Sequence, residues 1–108
     1  MSEDIRVSIT RANVASPIVS HLAMQLDKLS AAEAITYQGS DPHFTYRAIT
    51  TMLPMNNPQL VLFRDHMVDE VTVDVLTGQP RTYLIVGEPQ MHTLNGHWEW
   101  VCTRMRGT

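Results

Sequence analysis

From residue 44 onward the apolar residues arrive in short runs, and each run is cut by Gly, Pro, Asn or Asp before it could form a long helix. LVLF spans 60–63, EVTVDVL 70–76, TYLIVGEP 82–89 and GHWEWVCTRM 96–105. In the last run Trp98, Trp100 and Cys102 alternate with His97, Glu99, Val101 and Thr103, the period of two that sends successive side chains to opposite faces of a strand. The acidic stretch RDHMVD separates the first two runs, and Thr77, Gly78 and Pro80 break any ladder between the second and third. Upstream, AITYQ and HFTYRAIT flank the turn cluster GSDP and read as a hairpin. In its second arm Phe44, Tyr46 and Ala48 share one face and Thr45, Arg47 and Ile49 the other, so both faces are expected to be partly covered. A succession of about five to seven short strands gives a mainly β (α+β) fold, with a small antiparallel β-barrel or sandwich over residues 34–105.

The first third reads differently. In residues 1–13, Ile5, Val7 and Ile9 alternate with Arg6, Ser8 and Thr10, as in a short strand or an extended arm. Ser16 and Pro17 supply an N-cap and a first helical position. Val14, Ile18, Leu22, Leu26 and Leu29 then recur at steps of four and three, which predicts one N-terminal amphipathic helix over residues 14–30. Ser30 and Glu33 fit a capping box that opens one more turn, or else the close of that helix. In MLPMNNPQ, residues 52–59, Pro54 and Pro58 flank Asn56 and Asn57 and exclude both helix and central strand, leaving a loop whose Met52 and Met55 have something to pack on.

At 108 residues with 44% apolar content, the chain is sized for a single domain, residues 1–108. A lone cysteine, Cys102, excludes an internal disulfide and any zinc site built from several cysteines, and suits a reducing compartment. No apolar run approaches the roughly 18 residues of a membrane span, and MSEDIRVSIT carries acids where a signal peptide needs a basic segment, so a soluble, unprocessed chain is expected. Eight basic residues against eleven acidic ones, a net charge of -3, disfavour an electrostatic grip on a phosphate backbone.

Chemical sites are sparse. His92, His97 and Cys102 match no metal-ligand spacing, and Cys102, flanked by Val101 and Thr103, suits a packing role better than a nucleophile. No nucleophile elbow, phosphate loop or dinucleotide glycine motif occurs; Gly87 stands alone before a proline. Asp65, Asp69, Glu70 and Asp74 form an acidic cluster that suits paired carboxylates, hard-cation ligands, a solvated strand edge, or a wall facing a channel or partner. Trp98 and Trp100 share a face, which suits the core or, with Tyr46, a platform for stacking bases or sugars. No catalytic constellation and no cofactor motif follow, so an enzyme is not expected; two of His66, His92 and His97 in one pocket would reopen that reading.

The order of the second half is informative. Glu70, Val71, Thr72, Val73 and Asp74 form one strand; Tyr83, Leu84, Ile85, Val86 and Gly87 form an aromatic strand running into Gly and Pro; a strand opening at His97 and Glu99 follows. This order resembles the small head-closure proteins of long-tailed bacteriophages, also called head-tail joining, head-completion or stopper proteins. The helix, hairpin and proline-bearing loop expected upstream resemble the arrangement in the lambda-type joining proteins, although the TGQPR turn lacks the compact glycine-centred form common in the family.

The resemblance implies a structural virion protein, made in the bacterial host cytoplasm and placed in the virion neck. There it would form a homo-oligomeric ring against the portal and its adaptor, close the DNA exit of the filled capsid and dock tail proteins. It implies no membrane contact and no specific hold on the passing DNA. In that setting Asp65, Asp69, Glu70 and Asp74 are candidate channel-facing acids, because like charge keeps DNA from sticking. The loop Pro54, Met55, Asn56, Asn57 and Pro58 is a candidate gating or contact loop, and Ile5, Val7 and Ile9 a candidate subunit-contact arm. The alternative function is a small OB- or SH3-like barrel that binds a peptide, a glycan or single-stranded nucleic acid.

Overall fold

A computed structural model describes residues 2–35, 44–51, 61–92 and 96–105 of the chain. It contains β1 (Ser2–Thr10), β2 (Val19–Lys28), the single helical turn α1 (Ala31–Ile35), β3 (Thr45–Thr50), β4 (His66–Val73), β5 (Pro80–Ile85), β6 (Gln90–His92) and β7 (His97–Met105). The strands pair in the order β3-β2-β1-β4-β5-β7, and a further β3–β7 pairing closes those six into a barrel; β6 pairs with β7 alone. Every pairing is antiparallel. Strand β7 makes closure possible because it is long enough to serve three neighbours. Its residues 98–103 pair with β3 on one edge, while 97–99 pair with β6 and 102–105 with β5 on the other.

The expected amphipathic helix over 14–30 is not formed. Residues 19–28 are instead β2, and Pro17 lies in the turn that leads into it. The error has a simple origin, because a step of four fits both templates: one helical turn, or two strand residues on the same face. Leu22 and Leu26 satisfy either reading, and Met24 between them decides. In a helix Met24 would leave the apolar stripe, whereas in a strand it joins Leu22 and Leu26, and all three are buried. The helical content lies just after, where Glu33 N–H donates to Ser30 Oγ (3.3 Å) and Ser30 N–H to Glu33 Oε1 (3.5 Å), the reciprocal capping box. Among the described residues no helix is long and apolar enough to cross a membrane.

Inward-facing residues follow the strand period throughout. Val7 and Ile9 from β1, Met67 from β4, Tyr83 and Ile85 from β5, and Trp98, Trp100 and Cys102 from β7 join the β2 residues in one core cluster. Trp100 donates its indole N–H to Met67 Sδ at 3.0 Å across the interior, and Tyr46 meets Tyr83 edge-on with ring centroids 6.0 Å apart. A second, smaller cluster on the outside, where Leu29 covers Val101 with Val86 beside them, explains why both faces of this wall are apolar. The N-terminal stretch is therefore a barrel strand. Ile5 packs against the core and Val7 and Ile9 are fully buried in it, so these side chains do not form a free contact arm.

Two further expectations shift. Leu62 and Phe63 of LVLF belong to a turn rather than a strand, with Asp65 N–H donating to the Leu62 carbonyl at 3.1 Å. The supposed separator RDHMVD supplies the first half of β4. The expected turn near TGQPR is present: Gly78 N–H bonds the Asp74 carbonyl at 2.8 Å, and Gly78 adopts φ +73°, a conformation open to glycine at little cost. Of the expected first hairpin arm, residues 34–38, Ala34 and Ile35 belong to α1 and the rest lies outside the described residues with the turn 39–42; β3 pairs with β2 and β7.

Candidate functional site

The acidic cluster lies along β4 and its flanking turns, and the structure gives each carboxylate a local partner. Asp65 is buried at 2% exposure and accepts both Nε and Nη2 of Arg11, at 3.0 and 2.9 Å, together with Leu62 N–H at 2.8 Å. This bidentate pair holds the Arg11 guanidinium above its ordinary pKa, chiefly through the hydrogen bond from Arg11 to Asp65. Asp69, equally buried, faces inward beside Met67, and its Oδ1 accepts the N–H groups of Val71 and Thr72 at 2.8 and 2.9 Å. Those groups become available because the β4–β5 register breaks between Val68 and Val73. Asp69 thus holds the irregularity that interrupts the β4–β5 ladder before it resumes at Val73 and Pro80.

Glu70 closes a second irregularity. Between Val7 and Ile9 of β1 the facing strand β2 carries an extra residue, and His21 there sits at φ +57°. Its N–H donates to Glu70 Oε2 at 3.1 Å, its Nδ1 lies 2.8 Å from Oε1, and Ser8 Oγ donates to the same carboxylate. The Ser8 hydroxyl, ahead of the His21 contacts, draws Glu70 below the usual carboxylate range. Asp74 is lowered as well, first by the Leu76 N–H at 2.8 Å and then by Arg104 at 2.6 Å.

Ser8, His21 and Glu70 are residue types of a hydrolytic triad, yet their connectivity is wrong for one. Serine and histidine both bond the carboxylate and not each other, so His21 has no path to the Ser8 proton. The β6–β7 register sets His92 opposite His97, while His66 and His97 have separate surroundings. His66 lines a groove with Asp74, Gln79 and Arg81, His97 faces Glu99 at 3.3 Å, and the His92 side chain lies outside what is described. Among the described residues no group of three His, Cys, Asp or Glu could hold a metal ion. Cys102 is fully buried, and burial pushes its thiol far above the ordinary value; Tyr83 is pushed up to about 12 for the same reason. Trp98 and Trp100 are core residues and Tyr46 packs against that core, so the three do not form an open stacking platform. The loop Pro54, Met55, Asn56, Asn57 and Pro58 lies outside the described residues.

What the surface does offer is the hairpin joining β4 to β5. Val71 and Val73 point outward, and at its tip Val75 and Leu76 are 94% and 91% exposed. Such apolar exposure is costly in water unless something covers it. At the tip a cleft of about 400 Å³ is lined by the apolar Phe44, Val75 and Leu76 together with Asp74, Arg81 and Arg104. Arg104 is occupied by Asp74. Arg81 has no ion pair or hydrogen bond among the described residues, and its Nε is buried without a partner. The sequence pattern hides this cleft because EVTVDVL reads as one strand running up to the turn at Thr77, Gly78 and Pro80. The available signal was Val75-Leu76 directly before Thr77-Gly78, two large apolar residues where a turn is normally polar. No family model, curated protein or solved structure matches the chain.

Proposed function

We propose that the chain is a structural subunit of a bacteriophage neck, a head-closure protein that assembles as a ring on the portal and adaptor, closes the DNA exit of the filled capsid and receives the tail. The observation that carries the reading is the projecting β4–β5 hairpin, whose Val71, Val73, Val75 and Leu76 are held in water by a rigid closed barrel. Among the described residues the barrel interior is filled by the core cluster, and an apolar projection on such a barrel suits contact with other proteins. The strand order that resembles the head-closure proteins runs through this same hairpin. Of the four acids, Asp65 and Asp69 are buried as turn-forming groups and Asp74 is paired with Arg104, so Glu70 is the acid of this cluster that would face the passing DNA.

The test is assembly. Filled heads carrying portal and adaptor but lacking this protein are incubated with the purified chain and then with tails, and infectious particles are counted. Restored joining is expected, together with density for the chain below the adaptor. If the chain neither binds portal-adaptor complexes nor is needed for joining heads to tails, the reading fails.

A further inference from the structure

We infer that the cleft at the hairpin tip is a docking site for an extended acidic and apolar segment of a partner protein, with an apolar side chain between Phe44 and Leu76 and a neighbouring carboxylate on Arg81. Three observations converge. The cleft lining combines the apolar Phe44, Val75 and Leu76 with two arginines, Arg81 and Arg104. Its charge is unbalanced, because Asp74 neutralises Arg104 and leaves Arg81 as an arginine without a counter-ion among the described residues. Val71 and Val73 of the same hairpin are exposed as well, which favours an extended segment over a small molecule as the occupant.

The chemistry selects the occupant. A guanidinium that has lost part of its hydration gains most from a carboxylate, which it can engage through two parallel N–H donors. The apolar residues of the lining gain from a Leu-sized or Phe-sized side chain. A cationic or purely polar segment would leave Arg81 repelled or unsatisfied, so charge complementarity sets the specificity. Asp69 has a second oxygen, Oδ2, that is buried without a hydrogen-bond partner, but it forms no ion pair with Arg81 and so does not balance that charge from within. The inference needs only the cleft, and it stands or falls separately from the head-closure reading.

The experiment titrates the isotope-labelled chain with three capped peptides, acetyl-GELEG-amide, acetyl-GQLQG-amide and acetyl-GKLKG-amide, while following the methyl signals of Val75 and Leu76. The acidic peptide is expected to give saturable shifts at both residues with a Kd of roughly 1 mM or below, weakening with salt. Arg81→Gln should weaken it about fivefold, Arg81→Lys less, and Leu76→Ser should abolish the saturable shifts. Tryptophan fluorescence of each variant verifies that the barrel is intact. Equal binding of the lysine or glutamine peptide, no effect of Arg81→Gln, or no saturable shift would overturn the inference. Methyl shifts that depend on protein concentration alone would assign the tip to a second copy and overturn it too. Loss of head joining with peptide binding intact, or the reverse, tells the two proposals apart.

Discussion

Removing the Asp65 carboxylate should unfold this protein more readily than any other single change to the acidic cluster. Asp65→Ala deletes three hydrogen bonds, two from Arg11 and one from Leu62 N–H. Leaving one partner of a fully buried ion pair alone costs about 3–5 kcal/mol. The Arg11 side chain is one third exposed, however, and can recover water, so its share falls to about 1–2 kcal/mol. The orphaned Leu62 N–H adds about 1 kcal/mol. The expected loss is about 2–3 kcal/mol, a large part of the total stability of a domain this size. Urea unfolding followed by the fluorescence of Trp98 and Trp100 measures it directly, since both are buried only in the folded barrel. A cycle with Arg11→Met should give a coupling of about 1–2 kcal/mol, and Asp65→Asn, which keeps an acceptor for Leu62, should lose roughly half as much as alanine. A loss below about 1 kcal/mol, or strict additivity with Arg11→Met, would show that Asp65 is not the clamp between the end of β1 and the start of β4.

Three other outcomes follow from the same structure. Met24→Ala should cost about 2–4 kcal/mol in the same urea assay, because the residue is buried between Leu22 and Leu26; a change under about 0.5 kcal/mol would place it on a solvated face. Glu70 and Asp74 both titrate below their ordinary values of 4.5 and 3.8, so their contribution is present above those values and is lost as pH falls through the lower folded ones. Thermal melts between pH 7 and pH 2 should therefore show an acid limb, and Glu70→Gln should flatten it; an unchanged slope would contradict the assignment. Cys102 should resist a thiol reagent until urea unfolds the chain, and reaction of the folded protein at the rate of a free thiol would contradict its burial.

The strand-rich second half was legible in the sequence because alternation and turn residues coincide there. Trp98, Trp100 and Cys102 face inward as their spacing says, and the turn at Gly78 falls where Thr, Gly and Pro cluster. The β2 strand was not legible, since Leu22 and Leu26 at a spacing of four speak for a helix and a strand alike, and only closure of the barrel against β1 and β3 decides. The acids were visible as a cluster but not as individuals. Which carboxylate turns inward depends on ladder breaks at Val7/Ile9 and Val68/Val73 that no local pattern encodes. The cleft escaped for a related reason, because Phe44, Leu76 and Arg104 come from distant parts of the chain and meet only in the folded barrel.

The three-way pairing of β7 also governs the order in which the protein can be made. Strands β1 and β2 are neighbours in sequence and can zip as soon as both have left the ribosome, whereas β3 and β5 each wait for a partner that is translated only from residue 97 onward. Until then the cylinder stays open and its aromatic filling is missing, since Trp98 and Trp100 arrive with the closing strand itself. Such long-range closure places folding in the slow range typical of β-barrels, roughly milliseconds to seconds, and a chain stalled before residue 97 presents two unpaired strand edges to its neighbours.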